Sequence, residues 1–309
     1  MKSALISLVF LAGFLGCDEP FNVKADFEER VVVYAVLSNR TTTSIARVYR
    51  TYDPPSFDPL AVTTEMPVRN ATVTVSEGRN TYQYAETTLT RKDKSRYLTD
   101  IEAYHYRPFV VQAGKQYTLS VATQQFGITM ATTSVPDTGD LRFEESDPDF
   151  LWVLVKLGPQ AKGYMVRCYI EFQATVGGQV REFRIEVPSV ILYYIDNTRF
   201  GAEYPTLVRR TGIGGQFSRS DYSELALFSR QGFEIIREKV AMEYQGVTNQ
   251  RTVFILTQAD EHLYNYYNIV NGFQDPYLVR LDEPDYTNIR GGVGVFGSFF
   301  EQTFVYEVQ

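Results

Sequence analysis

Two cysteines and two histidines, Cys17, Cys168, His105 and His262, are the side chains of this chain best suited to act as nucleophiles, bases or soft metal ligands. Neither histidine has a second histidine or a cysteine at metal-ligand spacing. His105 stands between Tyr104 and Tyr106 in a predicted loop, and His262 lies beside the apolar stripe of a predicted helix. Both read as structural. Cys168 falls on the apolar face of an alternating stretch, with Tyr164, Val166, Ile170 and Phe172, where a thiol behaves as a small hydrophobe. No Gly-x-Ser-x-Gly elbow and no phosphate-binding loop occurs. The chain is therefore not expected to be an enzyme, and neither a cofactor nor a metal site is expected. Acidic residues gather at Asp137, Asp140, Glu144, Glu145, Asp147 and Asp149, but their spacing matches no calcium loop and reads as a solvated linker.

Cys17 is different. Lys2 supplies a positive start, residues 4–15 are apolar or small, and Phe14-Leu15-Gly16-Cys17 closes the run with a small residue directly before the thiol. The run is too short to span a bilayer, which takes about 20 residues, and has the form of a signal-peptide core. A cysteine at that junction predicts a bacterial lipoprotein signal, residues 1–16, cut before Cys17 with the thiol then acylated. A plain secretory signal cut nearby would leave Cys17 without that role. Acylation would leave Cys168 alone, so no disulfide within the chain is expected and the core must hold the fold.

The chain has 309 residues and a net charge of −7, and 14% of it is aromatic, with 22 Tyr, 21 Phe and one Trp. An acidic balance is a poor match to nucleic acid, where clustered Lys and Arg neutralise phosphate. The aromatics suit pleated β surfaces. A carbohydrate-stacking face is the sharper alternative, and the single Trp weighs against it.

The elements that would position any site are strands. Residues 17–29 read as a polar tether. Residues 31–37 are apolar on both faces, as in a central strand. Ala71, Val73 and Val75 alternate with Thr72, Thr74 and Ser76, and Tyr117, Leu119 and Val121 repeat the pattern. Glu77-Gly78-Arg79-Asn80, Ala113-Gly114-Lys115 and Val176-Gly177-Gly178-Gln179 supply turns. The fold class is mainly all-β: an immunoglobulin-like β-sandwich over residues 30–136, then a second antiparallel β-rich domain over residues 137–309 carrying one helix near the C-terminus. That helix is placed at about 258–271, capped by Thr257, striped with Leu263, Tyr266, Tyr267 and Val270, and ended by Gly272. Residues 220–228 read as a short helical turn, and residues 303–308 as the last strand. A transmembrane β-barrel needs regular segments with a continuous apolar face, which these irregular strands do not offer.

The densest glycine cluster follows the helix: Asn288-Ile289-Arg290-Gly291-Gly292-Val293-Gly294-Val295-Phe296-Gly297. Its spacing is wrong for a dinucleotide fingerprint, and a strand packed tightly on a neighbour is the favoured reading over close approach to a ligand. With residues 31–37, Asn70-Ala71-Thr72-Val73-Thr74-Val75 and Ala113-Gly114-Lys115-Gln116-Tyr117-Thr118-Leu119, this tail resembles a family of Gram-negative outer-membrane lipoproteins known as a domain of unknown function. The resemblance implies a neighbouring TonB-dependent outer-membrane receptor as partner, and carries over no catalytic residues. Asp18-Glu19 resembles the export tag that places lipoproteins on the outer face in some lineages, whereas in others Asp at that place retains them on the inner membrane. The expectation is thus an accessory protein of TonB-dependent nutrient uptake, held to the outer membrane by its lipid and facing the cell surface, with the periplasmic face open. The alternative is an adhesin or structural lipoprotein without a transport role. Two loops are candidates for a partner or ligand of unread identity: residues 53–67 with Phe57, and residues 274–286 with Tyr277 and Tyr286.

Overall fold

Val31, Val33, Ala35 and Leu37 alternate with less buried neighbours, and all four are almost fully excluded from solvent. They open strand β1, Val31–Ser38, which is paired on both edges, as a strand apolar on both faces should be. The structure is a computed structural model that describes residues 27–54, 61–193, 199–211, 221–272 and 286–307. The first run of strands continues with β2 Ser44–Arg50, β3 Thr72–Glu77, β4 Asn80–Gln83, β5 Ala85–Leu89, β6 Ile101–Tyr106, β7 Gln116–Thr123 and β8 Gly127–Ser134. The second run comprises β9 Asp140–Glu144, β10 Phe150–Lys156, β11 Gly163–Val176, β12 Gln179–Val187, β13 Ser189–Tyr193, β14 Arg199–Glu203, β15 Val208–Arg209 and β16 Glu224–Ser229. Helix α1, Arg230–Glu243, then leads into β17, Gln245–Ala259, followed by α2, Glu261–Gly272, and β18, Val293–Tyr306.

One large sheet, ordered β12-β11-β17-β18-β1-β2-β6-β5, runs through the molecule. At one end the sheet β4-β3-β7-β8 covers its β1, β2 and β6 part, forming a two-sheet sandwich around Val33, Val73, Tyr117, Leu119 and Phe296. At the other, the sheet β16-β10-β9 and α1 cover β11, β17 and β18, around Val153, Cys168, Phe228 and Phe254. Among the described residues the ladders are antiparallel except β1 with β18, where Val32 lies opposite Val293 and Ser38 opposite Phe299. A 14-residue strand rises about 45 Å at about 3.3 Å per residue, so β18 reaches both cores. The sequence boundary at residue 137 thus separates two cores without separating the sheet. Ile289 and Phe296, late in the chain, pack in the first core.

Four sequence expectations need correction. Residues 224–228 are strand β16, pairing β10 from Phe150↔Ser229 to Val155↔Glu224, because Ala226 and Phe228 face the second core and alternate with Leu225 and Leu227 on the other face. Helix α1 follows, a second helix among the described residues. Ser229 caps it by accepting from the Gly232 N–H, and Phe233, Ile236 and Val240 pack inward. His105 lies within β6. Thr257 is a strand residue of β17 whose hydroxyl donates to Glu301 at 3.0 Å, and Asp260 takes the capping role for α2.

No helix among the described residues is long and apolar enough to cross a membrane.

Candidate functional site

The glycine cluster is bent onto β1 at a point where side chains have no room. Gly294 has φ +114°, in the region that favours glycine, and a Cβ there would run into the Val33 carbonyl oxygen. A Cβ on Gly292 would sit 2.8 Å from Val31 Cγ1, and one on Gly297 would sit 2.8 Å from Leu263 Cβ. Gly297 therefore lets α2 lie directly on β18, with Leu263 against it and Tyr266 against Tyr34, ring centroids 5.8 Å apart. Gly291, φ +78°, turns the chain beside the Ile128 carbonyl. The cluster is a packing device.

Asn288 fixes its start. Its side-chain amide donates to the Phe296 carbonyl at 2.8 Å and accepts from the Phe296 N–H at 2.9 Å, and it also reaches the Thr132 carbonyl at 3.3 Å. Buried Phe296 is thus clamped between β1 and the loop. Asp260 fixes the helix on the same seam. One carboxylate oxygen accepts from the Leu263 N–H at 2.8 Å and the Ser298 N–H at 3.1 Å. The other accepts from the Thr133 hydroxyl, which lies 3.0 Å from the Ser298 hydroxyl. Burial pushes the Asp260 carboxyl up, with its hydrogen bonds to Thr133, Leu263 and Ser298 working against the shift.

Of the loop residues singled out by sequence, Tyr286 lies in the described structure. Its hydroxyl meets His262 Nδ1 at 2.5 Å, with the two rings stacked at 29°. Burial, and then the negative charges of Glu261 and Asp260, raise the Tyr286 hydroxyl above its usual range. Tyr286 and Gly297 therefore meet α2, while Asn288 ties the glycine strand to β8. Cys17, Phe57 and Tyr277 lie outside the described residues.

A second feature escaped sequence reading. On the face of β11, β12 and the start of β17 turned away from the second core lies an open cleft of about 810 Å³. Glu171 stands in it, and both guanidinium groups reach its carboxylate: Arg184 Nε at 2.9 Å on one oxygen, Arg251 Nε at 2.9 Å on the other. Burial would raise the Glu171 carboxyl, but the hydrogen bonds from Arg184 and Arg251 prevail and it titrates below its ordinary range. Asn249 donates to Gln173 at 2.8 Å, and Gln173 donates to Glu182 at 3.4 Å. Two carboxylates, two guanidiniums and the amides make a rigid, nearly neutral polar surface. Its one sequence signal was the run of opposite charges facing one another across the Gly177-Gly178 hairpin, at Glu171↔Arg184.

The acidic stretch is tied down by protein groups. Asp147 accepts from the Asp149 and Phe150 N–H groups and from Trp152 Nε1, and Tyr306 donates to Glu145 at 2.6 Å. Among the described residues no group of three or more His, Cys, Asp or Glu side chains is placed to hold a metal ion.

The chain matches the family described as Domain of unknown function (DUF4249) over residues 18–304. It belongs to that family. The DUF4249 match takes in both cores, the α2–β18 seam and the distal cleft. No curated protein matches the chain.

Proposed function

We propose that this protein is a lipid-anchored accessory protein of a TonB-dependent nutrient-uptake system, held in the outer membrane through Cys17 and facing the cell surface. The observation that carries the reading is the junction at Gly16-Cys17: a charged start and an apolar run end there, and the DUF4249 match begins at the next residue, 18. The receptor partnership rests on the family likeness of the α2–β18 tail and of the early strands. A scaffold of two cores on one sheet supports it physically, since recognition can then fall to loops and to the distal cleft, held by a rigid frame.

Stable anchoring takes two or more acyl chains, each buried methylene contributing about 0.8 kcal/mol. Cys17→Ala should therefore move the protein from the membrane fraction to the soluble fraction and abolish palmitate labelling. Labelling that survives the substitution sinks the anchor. Purification of the wild-type lipoprotein from detergent-solubilised outer membranes should bring down a TonB-dependent receptor in a fixed ratio. Anchored protein that emerges with no receptor makes it a surface lipoprotein without a transport role.

A further inference from the structure

We propose that the end of the first sandwich from which the tether leaves rests on the membrane itself, the β5–β6 loop meeting the anionic, phosphate-bearing lipid headgroups of that leaflet through Lys92 and Lys94 and the acyl boundary through Leu98. The inference rests on the lipid anchor at Cys17 and deepens it by giving the molecule an orientation.

The exit of the tether is fixed. Arg30 and Thr51 exchange hydrogen bonds, Arg30 N to Thr51 Oγ1 and Thr51 N to the Arg30 carbonyl, both at 2.8 Å. Glu29 binds Arg50 and Gln125, each at 2.7 Å. Residues 29 and 30 are thereby clamped to the end of β2 and the β7–β8 turn. The β5–β6 loop is at this same end: Arg96 donates to the Tyr52 hydroxyl at 3.1 Å, and Arg91 and Arg47 share Glu65. Phe27 lies ten steps along the chain from Cys17, a span of at most about 35 Å when fully extended. The Gly177-Gly178 hairpin lies at the opposite end, beyond the whole length of β18. An acyl chain on Cys17 therefore pulls on the β5–β6 end and not on the hairpin end.

The chemistry of that end fits a phosphate-bearing surface. The chain as a whole is acidic, yet residues 91–100 carry Arg91, Lys92, Lys94 and Arg96 against Asp93 and Asp100. Of the neighbouring acids, Glu28 pairs with Arg30, Glu29 with Arg50 and Glu65 with Arg47 and Arg91, Asp93 accepts from the Ser95 N–H, and Asp100 lies 3.3 Å from Lys94, which a headgroup phosphate would share with it. Lys92 is exposed and Lys94 half-exposed. Arg91 and Arg96 lie over the Tyr97 ring, at 5.1 and 4.8 Å, and hold the loop in shape. Directly after Tyr97, Leu98 is 78% exposed, and Phe27 is 46% exposed at the same end. Lysines beside an aromatic and an outward aliphatic side chain are the composition of an interfacial membrane contact.

The test uses the lipidated protein in vesicles of phosphatidylcholine, with and without phosphatidylglycerol. Cys17 is acylated and Cys168 is buried, so Leu98→Cys provides one reactive thiol for an environment-sensitive fluorophore. Val180→Cys, exposed beside the distal hairpin, is the control. The expected result is a blue shift and quenching by lipid-borne quenchers at position 98, stronger with phosphatidylglycerol, and neither effect at position 180. Adding Lys92→Glu and Lys94→Glu should abolish the phosphatidylglycerol dependence while melting is unchanged. Protein that floats with vesicles but gives the same spectrum at 98 and 180 overturns the contact and leaves the anchor standing. Protein that does not float overturns the anchor and the contact together.

Discussion

Asp260 and Thr133 are 127 residues apart in the chain and share a buried hydrogen bond, at the point where α2, β8 and β18 meet. The bond joins the tail of the chain to the first sandwich. With Ser298 it is the polar part of a seam that is otherwise apolar, and each of its groups has a partner. Next to it Gln258, fully buried, accepts from the Gly158 N–H at 2.7 Å and donates to the Asp137 carbonyl at 2.9 Å. The segment between the two cores is pinned to the shared sheet by these side chains.

Asp260→Ala removes a helix cap and leaves the Ser298 N–H and the Thr133 hydroxyl buried without their acceptor, so a loss of about 2–4 kcal/mol is expected in chemical denaturation. Asp260→Asn can keep the acceptor facing Leu263 and Ser298 and should lose less. Because the folded carboxyl is raised above its unfolded value, the native state binds its proton more tightly. Stability should then fall as pH rises from about 4 through the folded value, and the Asn variant should lack that slope. An Asn variant with the same slope would move the titration to another group.

The glycines separate into two kinds. Gly294→Ala must displace the Val33 backbone and meets strain at φ +114°, with an expected cost of about 3 kcal/mol or more. Gly178→Ala has open space around it and meets only the strain of φ +79°, about 1 kcal/mol. Paired melting curves check the ratio. Equal losses would mean that β1 and β18 are not in the tight contact described.

Strand β1 was legible because both of its faces are apolar, and the β11–β12 turn because Gly177 and Gly178 both take positive φ, as a two-residue hairpin demands. The strand face of Cys168 followed from simple alternation. The parallel pairing of β1 with β18 was not legible, since it joins residues some 260 apart and leaves no local mark. Helix α1 was missed because Gly232 and the β-branched Ile235 and Ile236 weaken its propensity, although Ser229 and the Phe233–Ile236–Val240 spacing were visible. The cap of α2 was placed at Thr257, three residues before Asp260, whose carboxylate accepts from the Leu263 N–H. The Arg184–Glu171–Arg251 contact needs three strands in register, which no single stretch encodes.

Cys168 has no exposed surface, and burial pushes its thiol well above the ordinary range. Thiol reagents should leave the native protein unmodified and react on unfolding. Cys168→Ala deletes one buried sulfur and should cost about 1–2 kcal/mol. Prompt labelling of the native chain would place the thiol at a surface and contradict the packing of β11.

Glu171 is the acid whose partners give it the opposite pH behaviour. Its side chain is 16% exposed, while those of Arg184 and Arg251 are 47% and 61% exposed, so solvent screens much of the pairing. Glu171→Gln places two guanidiniums side by side without their shared anion, and a loss of about 1–2 kcal/mol is expected at neutral pH. Since the folded carboxyl lies below its unfolded value, its contribution is present above the unfolded value, near 4.5, and fades as pH falls through the folded one. The wild type should therefore lose stability on acidification below about pH 4.5, and the Gln variant should lose less over the same range. Both arginines of the cleft are held in place by this one carboxylate. Glu171→Gln should loosen the cleft without moving the second core, so hydrogen exchange should rise at residues 245–251 and stay unchanged at 253–257. Exchange that rises equally in both stretches would show that Glu171 supports the core of the sheet and not the shape of the cleft.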